Sequence, residues 1–487
     1  MNQPTKAQRW SFLFVISLGL LMIGLDNSIL YTALPTLRHE LHTTELEGLW
    51  IINAYPLVLA GLLLGTGTLG DKIGHRRMFE IGLVLFGLAS LAAAFAPNAT
   101  ALIAARGALG AGAATMMPAT LALLRTTFKD VRERNTAIGV WGSVATIGAA
   151  AGPVVGGFLL EHYYWGSVFM INVPIVIITL IASYFLAPNN RANPEKHWDF
   201  ISSLYAMFAM MGMVIVIKEL VHQPINSLVL GIATAIMAIG SILFIHRQHR
   251  LDEPLLAFDI FKNRIFVAGV VAACLGMFCL TGVELITTQR FQESAGFSPL
   301  EAGLITGAMA ISAFPASLLG GANLHRWGFR PLISGGFAVI SLGLPAGIWA
   351  LSNNHVEIFV IAFMATGFGA GLLMSVASTA IIGSAPAHRT GMASAVEEVS
   401  FEFGTLISVA LMGSLISGFY ALFAPAEISD SYTTGFTHPL LADAAHQAFD
   451  NAYYTTIGVG TIVAIIGTIV TAILLAGNPK ETKYAHE

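Results

Sequence analysis

The chain has 487 residues, of which 55% are hydrophobic and 11% are charged, and its net charge is −4. A soluble domain carries roughly 25% charged residues, so this composition excludes a water-soluble globular protein. No basic tail is present, and no nucleic-acid partner is expected. The apolar segments are about 20 residues long, which suits membrane-spanning helices and exceeds barrel strands of ~9–11 residues. We therefore expect an all-α polytopic membrane protein.

Hydropathy predicts fourteen spans. The first is longer than the ~7–15-residue apolar core of a signal peptide, so we expect it to stay in the protein as a helix. Most of the 24 Lys and Arg fall in the loops of one side, and the positive-inside rule then places both termini in the cytoplasm. In chain order the predicted spans are 11–34, 50–69, 78–96, 101–124, 136–160, 167–187, 199–217, 227–245, 265–287, 301–321, 332–351, 357–382, 393–420 and 452–476.

A charged segment between the second and third spans reads Gly-Asp-Lys-Ile-Gly-His-Arg-Arg at 70–77, and a weaker form of it, His-Arg-Trp-Gly-Phe-Arg, occurs at 325–330. Such a repeated basic loop predicts a transporter built from two related helical bundles. The matching pairs are Lys72 with Arg326, Gly74 with Gly328 and Arg76 with Arg330. The predicted parts are a six-helix bundle at 1–190, two inserted helices with their loops at 191–262, and a second six-helix bundle at 263–487.

Two ionisable residues lie deep inside predicted spans of the first bundle. On insertion scales a charge at this depth costs roughly 2.5–3.5 kcal/mol, so it is expected to face the protein interior or water. Asp26 either binds a cation or a proton in a central cavity, or pairs with a neighbouring helix. Arg106 is expected to have an interior polar partner.

The thirteenth predicted span carries a group of carboxylates. Glu398 and Glu402 are four residues apart and therefore lie on one helical face, where two carboxylates in a low dielectric do not both ionise readily. One of them is expected to exchange a proton for a cation, unless the pair lies at a wetted helix end. Glu397 is rotated by about 100° and is expected to face another helix. Glu284, late in the ninth span, either lines the outer mouth of a cavity or reaches water.

Several patterns argue against other kinds of site. Gly65, Gly67 and Gly70 have the spacing of a dinucleotide motif, but they lie in an apolar helix with no strand before it. No phosphate-binding Gly-Lys-Ser/Thr motif occurs, so ATP is not the expected energy source. Cys274 and Cys279 lie in one span and point in different directions. We expect no metal, no cofactor and no enzyme activity.

The predicted outer loop at 421–451 carries acidic residues and no Lys or Arg. A solvated loop is the simpler interpretation, and attraction of cations is the alternative. The acidic residues are Glu427, Asp430, Asp443 and Asp450.

Taken in order, the segments of the chain resemble the major facilitator superfamily, in particular its fourteen-helix drug:proton antiporter branch. The loop at 70–77 resembles the signature loop of that family, and Gly-Ala-Ala-Ala-Gly-Pro-Val-Val-Gly-Gly at 148–157 resembles its fifth-helix antiporter motif. The segment 395–402, Ala-Val-Glu-Glu-Val-Ser-Phe-Glu, is similar to the thirteenth helix of QacA/SmvA-type exporters of quaternary ammonium compounds and methyl viologen. Further similar segments are 25–35, 165–174 and 296–303.

The resemblance implies a proton-coupled multidrug efflux antiporter, monomeric and without a cofactor, in the bacterial cytoplasmic membrane. Its partners would be lipophilic cations, protons and the lipid bilayer. Proton coupling and cation binding would rest on Asp26, Glu284, Glu398, Glu402 and Arg106, the last in a proton relay or in helix packing. The expected lining of the substrate cavity is Tyr55, Trp141 and Glu397. The expected gating loop contains Gly70, Asp71, Gly74, Arg76 and Arg77, and the antiporter motif contains Gly148, Gly152, Pro153, Gly156 and Gly157.

The gating loop has two interpretations that are compatible with each other. Its arginines pair with carboxylates of the opposite bundle and latch the cytoplasmic side, or they serve membrane topology alone. Asp71 is expected near a helix N-terminus, where the helix dipole favours an acid. Two positions depart from the pattern of the resembling family, since Leu109 replaces a usual Gln and Asn53 stands where some relatives carry an acid.

The alternative to a multidrug exporter is a transporter of the same fold that exports a metabolite, a siderophore or a neutral or zwitterionic drug. A membrane sensor or assembly factor without transport is a further alternative, and the acids inside the spans argue against it.

Overall fold

The computed structural model describes residues 5–195, 198–221, 225–251, 254–386 and 390–482. Within these residues the chain is helical and contains no strand. The predicted all-α fold is confirmed.

Seven helices precede residue 190. They are α1 (Lys6–Glu40), α2 (Glu45–Ile73), α3 (His75–Ala94), α4 (Ala99–Thr127), α5 (Val131–His162), α6 (Ser167–Met170) and α7 (Asn172–Leu186). The helices that follow are α8 (Phe200–Val221), α9 (Ser227–Gln248), α10 (Arg264–Gln289), α11 (Pro299–Trp327), α12 (Phe329–Ser352), α13 (Val356–Ile382), α14 (Thr390–Phe423), α15 (Tyr432–Phe436) and α16 (Ala442–Leu474).

Each of the fourteen predicted spans lies on these helices, and α6 and α7 share the sixth span. Within the described part of the chain, thirteen helical segments are long and apolar enough to cross a membrane. The predicted span at 136–160 lies in α5, and several side chains of α5 are outside the description.

Several of the long helices begin at local capping signals. The hydroxyl of Thr44 accepts the backbone N–H of Glu47 at 3.2 Å, and the carboxylate of Glu47 accepts the backbone N–H of Thr44 at 2.8 Å. Ser298 and Glu301 form the same reciprocal pair at the start of α11. Such capping boxes satisfy backbone donors that a helix start leaves free.

The chain divides into two compact units, residues 1–207 with 243–247 and residues 208–242 with 248–487. In the first unit α1 packs against α5, and α4 packs against both α2 and α3. In the second unit α10 packs against α14, and α13 packs against both α11 and α12. The units thus repeat one packing arrangement, as the matching basic loops predicted. The three-part division at residues 190 and 262 stays a prediction.

Glycines of the antiporter motif bring α5 very close to α1. A Cβ atom at Gly148 would lie 2.7 Å from the carbonyl oxygen of Leu21, and one at Gly152 would overlap the hydroxyl of Ser28. Gly156 continues the same face one turn later. Small residues at this spacing let two backbones approach, so the motif builds the contact between these two helices.

The start of the first inserted helix, α8, packs against the face of α2 that carries Gly65. A Cβ atom at Gly65 would overlap the hydroxyl of Ser203. Asp199 precedes α8, and its carboxylate accepts hydrogen bonds from Arg247 at the end of α9 (3.0 and 3.2 Å). Burial acts to raise the pKa of Asp199, but hydrogen bonds from Arg247 and Ser202 outweigh burial and hold that pKa below 3.8. The ends of the two inserted helices are therefore joined by an ion pair.

The predicted outer loop at 421–451 is a packed cap, and the expectation of a solvated loop was wrong. Ile428 and Tyr432 are buried, and the hydroxyl of Tyr420 donates to the carbonyl of Ile428 at 3.2 Å. The rings of Tyr432 and Phe449 lie 4.8 Å apart. Aromatic burial fixes this segment on the second unit although Glu427, Asp430 and Asp443 are exposed.

The close contact of α1 with α5 predicts a specific stability loss. Gly152→Ala inserts a methyl group into the space of Ser28, and we expect it to lower the free energy of unfolding by about 1–3 kcal/mol. Gly335→Ala on α12 is the matched control, because no atom lies within 4 Å of the added Cβ and Ala favours a helix. Thermal unfolding of the two purified variants in detergent measures the stability of each. Equal unfolding temperatures for Gly152→Ala and Gly335→Ala would contradict the packing.

Candidate functional site

The buried charges of the first unit form an ion pair between α1 and α4. Arg106 Nη1 lies 2.5 Å from Asp26 Oδ2, and the residues are 0% and 2% exposed. The Arg106 Nε–H donates to the carbonyl of Ile51 on α2 at 3.2 Å, and the guanidinium lies 4.6 Å from the ring centroid of Tyr55. Arg106 thus has the interior polar partner that its position predicted, and it joins three helices.

Asn172 on α7 completes this network. Its Nδ2–H donates to Asp26 Oδ1 at 2.8 Å and to the hydroxyl of Ser90 on α3 at 3.2 Å. Both carboxylate oxygens of Asp26 therefore have partners inside the protein, which is the geometry expected when Asp26 pairs with neighbouring helices. The sequence reasoning missed Asn172 and Ser90, although Asn172 lies in the segment 165–174 that resembles the family.

Several polar atoms beside this network are buried without a hydrogen-bond partner among the described residues. They are Arg106 Nη2, Asn172 Oδ1 and both side-chain amide atoms of Asn53. A buried group left without a partner costs about 1–3 kcal/mol, so these atoms favour internal water. Tyr55 is fully buried under the guanidinium, and Trp141 is partly buried with no partner at Nε1 in the described structure. A role for either residue in lining a substrate cavity stays a prediction.

The second unit gathers three carboxylates on α14. We call Glu397, Glu398 and Glu402 the α14 acid cluster. Glu398 interacts electrostatically with both of the others, as the four-residue spacing indicated. Glu397 is buried, and its carboxylate lies close enough to Ser378 on α13 to interact with it, so it faces another helix as expected. Within the described residues, no Lys or Arg interacts with Glu397 or Glu398. Uptake of a proton or an external cation by the cluster stays a prediction.

Glu284 lies at a different depth from this cluster. The helices α10 and α14 run side by side in the same direction, and the hydroxyl of Ser408 donates to the carbonyl of Phe278 at 2.6 Å. Glu284 is six residues beyond Phe278, whereas Glu402 is six residues before Ser408. At 1.5 Å per residue this separates the two acids by roughly 18 Å along the helices. The structure does not bring Glu284 to the cluster.

A second ion pair, which the sequence reasoning missed, lies at the far end of α10. Arg290 Nε and Nη2 donate to the two carboxylate oxygens of Asp450 at 3.0 and 3.2 Å. The guanidinium also lies 5.6 Å from the ring centroid of Tyr453, whose hydroxyl is 3.0 Å from that of Thr287. Asp450 was assigned to the outer loop, but it lies in α16. The acidic excess of 421–451 suggested attraction of cations, but it did not indicate that Arg290 is the partner of Asp450.

The gating loop is held within its own unit. Arg76 Nε donates to Glu80 at 2.9 Å, while its Nη1 and Nη2 donate to the carbonyls of Ala187 and Tyr184 at 3.2 and 3.3 Å. These carbonyls lie at the end of α7, where a helix leaves acceptors free and favours a cation. Asp71 lies in the last turn of α2, 3.0 Å from the imidazole of His75, the first residue of α3. A latch to the opposite bundle stays a prediction.

Comparison with known proteins finds relatives along most of the chain. A family model described as Major Facilitator Superfamily matches residues 16–286 and 265–484. The chain is 32% identical over 489 residues to the multidrug efflux pump LfrA of Mycolicibacterium smegmatis, and the match covers 96% of this chain and 96% of LfrA. It is 36% identical over 411 residues to the methyl viologen resistance protein SmvA of Salmonella typhimurium, covering 84% of this chain and 83% of SmvA.

Among solved structures, the chain is similar to a bacterial homologue of the human lysosomal transporter Spinster in an inward-facing, occupied conformation. The TM-score is 0.68 at 12% sequence identity, and the match covers 97% of each chain. At this identity the likeness concerns the fold alone.

The buried ion pair predicts a non-additive effect on stability. Asp26→Asn and Arg106→Gln each leave the other residue as an unpaired buried charge, and we expect each to lower the free energy of unfolding by about 3–5 kcal/mol. The double variant should regain a large part of this loss. The pair of Arg9 and Glu133 serves as the comparison, because its side chains are 23% and 16% exposed and its loss should cost less than loss of the fully buried pair.

Thermal unfolding of the four proteins in the Asp26–Arg106 cycle gives the interaction energy. Additive losses in the double variant would show that the two charges do not depend on each other.

Proposed function

Because the chain belongs to the major facilitator superfamily and is a transporter rather than an enzyme, we propose that it is a drug efflux antiporter that exchanges protons for lipophilic cations. One relative is a multidrug efflux pump and another is a methyl viologen resistance protein. Methyl viologen is a flat dication. The observation that carries the proposal is the α14 acid cluster, where Glu397 and Glu398 interact with no Lys or Arg of the described residues.

The proposed exchange depends on repulsion within this cluster. The proton occupancy of one carboxylate depends on the charge of its neighbours when they are this close. A lipophilic cation that enters can take the place of a proton, and the next proton can displace the cation. Charge in the site then stays nearly balanced at each step, which matters because an unbalanced charge at this depth is costly.

Asp26 and Arg106 have a supporting role in this proposal. Their charges already neutralise each other, and Asn172 occupies the remaining oxygen of Asp26. The pair keeps α1, α4 and α7 in register, and it can relay a proton only after the 2.5 Å contact opens. Glu284, at another depth, is proposed as a separate cation or proton site of the second unit.

The proposed orientation places both termini in the cytoplasm of a bacterium, and the protein acts as a monomer in the inner membrane. Three basic residues fall on the outer side in this orientation, namely Arg38, Lys218 and Arg290. Arg38 lies 3.9 Å from Glu45, and Arg290 lies 3.0 Å from Asp450. Only these three of the 24 Lys and Arg lie in outer loops or at outer helix ends, and this bias supports the orientation.

Energy coupling tests the proposal directly. In everted membrane vesicles without ATP, an imposed pH gradient should drive ethidium and methyl viologen uptake, because protons supply the work. A protonophore should abolish the uptake. Uptake that follows ATP and persists without a proton gradient would overturn the assignment.

The α14 acid cluster predicts which substitutions uncouple transport. Glu398→Gln and Glu402→Gln keep the side-chain volume but remove the titrating proton, so drug-driven proton release should slow on the order of tenfold or more. Glu357→Gln is the matched control, since this acid is exposed in the first turn of α13. Proton release and drug uptake are measured together in proteoliposomes of equal protein content. Full proton coupling in both cluster variants would refute the role of the cluster.

A further inference from the structure

An asparagine beyond the last helix of the first repeat reaches back to the turn between α2 and α3. Asn190 Nδ2–H donates to the carbonyl of Ile73 at 2.8 Å, and its Oδ1 accepts the backbone N–H of Arg77 at 3.3 Å. Gly74 occupies the turn with φ 98°, and a Cβ atom there would overlap the amide of Asn190. Glycine is thus required by the backbone angle and by the approach of the asparagine.

The second unit contains the same arrangement. Asn478, beyond the end of α16, donates through Nδ2–H to the carbonyl of Trp327 at 3.0 Å and accepts the backbone N–H of Arg330 at 3.3 Å. Gly328 has φ 80°, and its Cβ would also overlap the asparagine amide. The local sequences differ, Ala-Pro-Asn-Asn at 187–190 and Ala-Gly-Asn-Pro at 476–479. The bonds to the carbonyls of Ile73 and Trp327 are equivalent, whereas the bonds to the N–H groups are offset by one residue, because Arg330 matches Arg76 and not Arg77.

The chemistry of this contact explains why the side chain is asparagine. A turn between two helices leaves the last carbonyls of one helix and the first N–H groups of the next without helical partners. An amide carries a donor and an acceptor on one carbon, so a single side chain can satisfy one group of each kind. Asn478 itself has φ 49°, a region that asparagine tolerates better than most residues.

We propose that Asn190 and Asn478 are equivalent positioning residues, each of which clamps the turn between the second and third helices of its repeat to the end of the last helix of that repeat. In the first unit, Arg76 strengthens the clamp through the carbonyls of Tyr184 and Ala187. The helix pair and the last helix then move together during transport. The effect on transport rests on the proposed function, whereas the clamp itself does not.

The clamp is tested first without transport. Hydrogen exchange of the peptide at 70–77 in the purified protein should become about tenfold faster in Asn190→Ala, which loses both bonds. Asn190→Asp keeps the acceptor but loses the donor and should give a smaller increase. Asn189→Ala is the matched control, because its side chain is exposed and forms no bond to the turn. Unchanged exchange in both Asn190 variants would refute the clamp.

The second clamp receives the parallel test. Asn478→Gly removes the amide while allowing the positive φ, and exchange of the peptide at 325–330 should rise by a similar factor, with Lys480→Ala as the exposed control. A response in one unit only would overturn the equivalence.

Transport by the same variants tests the positioning role. Turnover of ethidium in proteoliposomes should fall about fivefold to tenfold in Asn190→Asp and Asn478→Gly, while KM stays within about twofold, because neither residue is proposed to touch substrate. A raised KM at unchanged turnover would contradict positioning. Suppose that the wild type does not exchange protons for drug, but that hydrogen exchange still becomes faster in the asparagine variants. The proposed function is then refuted, and the clamp is retained.

Discussion

A guanidinium buried inside a membrane-spanning helix must find its partners within the protein, and Arg106 finds them on neighbouring helices. Asp26 supplies the countercharge from α1, Ile51 supplies a carbonyl from α2, and Tyr55 supplies an aromatic face. The second carboxylate oxygen of Asp26 also needs a partner. Asn172 of α7 donates a hydrogen bond to it, and Asn172 also donates to the hydroxyl of Ser90 on α3. The low dielectric of the protein interior strengthens each of these contacts and raises the free-energy cost of each polar group left without a partner. The packing of these helices in the first unit is therefore consistent with the requirement that the buried charge of Arg106 be paired.

The two units repeat one packing arrangement but carry different chemistry in it. In the first unit, α5 presents glycines to α1, and the ionisable groups are neutralised in pairs. In the second unit, the counterpart of α5 is α14, which carries the α14 acid cluster near its start. Its contact with α10 is also close, through the hydroxyl of Ser408 and the carbonyl of Phe278. A repeat can thus keep its helix contacts while one copy pairs its buried charges and the other, in the proposed function, uses its acids for proton and cation exchange.

Hydropathy and short-range spacing predicted much of this molecule, because lipid imposes a simple rule on each span separately. The helix positions, the repeated loop, the need of Arg106 for an interior polar partner and the orientation of Glu397 all follow from such local patterns, whereas the identity of that partner as Asp26 does not. Asn172, Asn190 and the pair of Arg290 with Asp450 were missed. Asn172 bonds to Asp26 across 146 residues of sequence, and Arg290 bonds to Asp450 across 160. An isolated asparagine or arginine gives no local signal of such a partner.

The cap at 421–451 was misread for a related physical reason. Its charge suggested solvent, but two or three aromatic rings are enough to bury a short segment, since each removes a large apolar area from water. Tyr432 and Phe449 do this against Tyr420, while Glu427, Asp430 and Asp443 remain exposed. Composition averaged over such a segment hides the few residues that decide its structure.

The inserted helices show how a membrane bundle can gain spans without changing its core. On α2, Gly65 faces Ser203 of α8, while the hydroxyl of the next residue, Thr66, donates to the carbonyl of Ala114 on α4 at 2.6 Å. Successive residues on a helix point about 100° apart, so α2 uses different faces for the inserted helix and for its own repeat. The helix α8 therefore occupies a face of α2 that its pairing with α4 leaves free. In the second unit, α11 pairs with α13 in the same way as α2 pairs with α4.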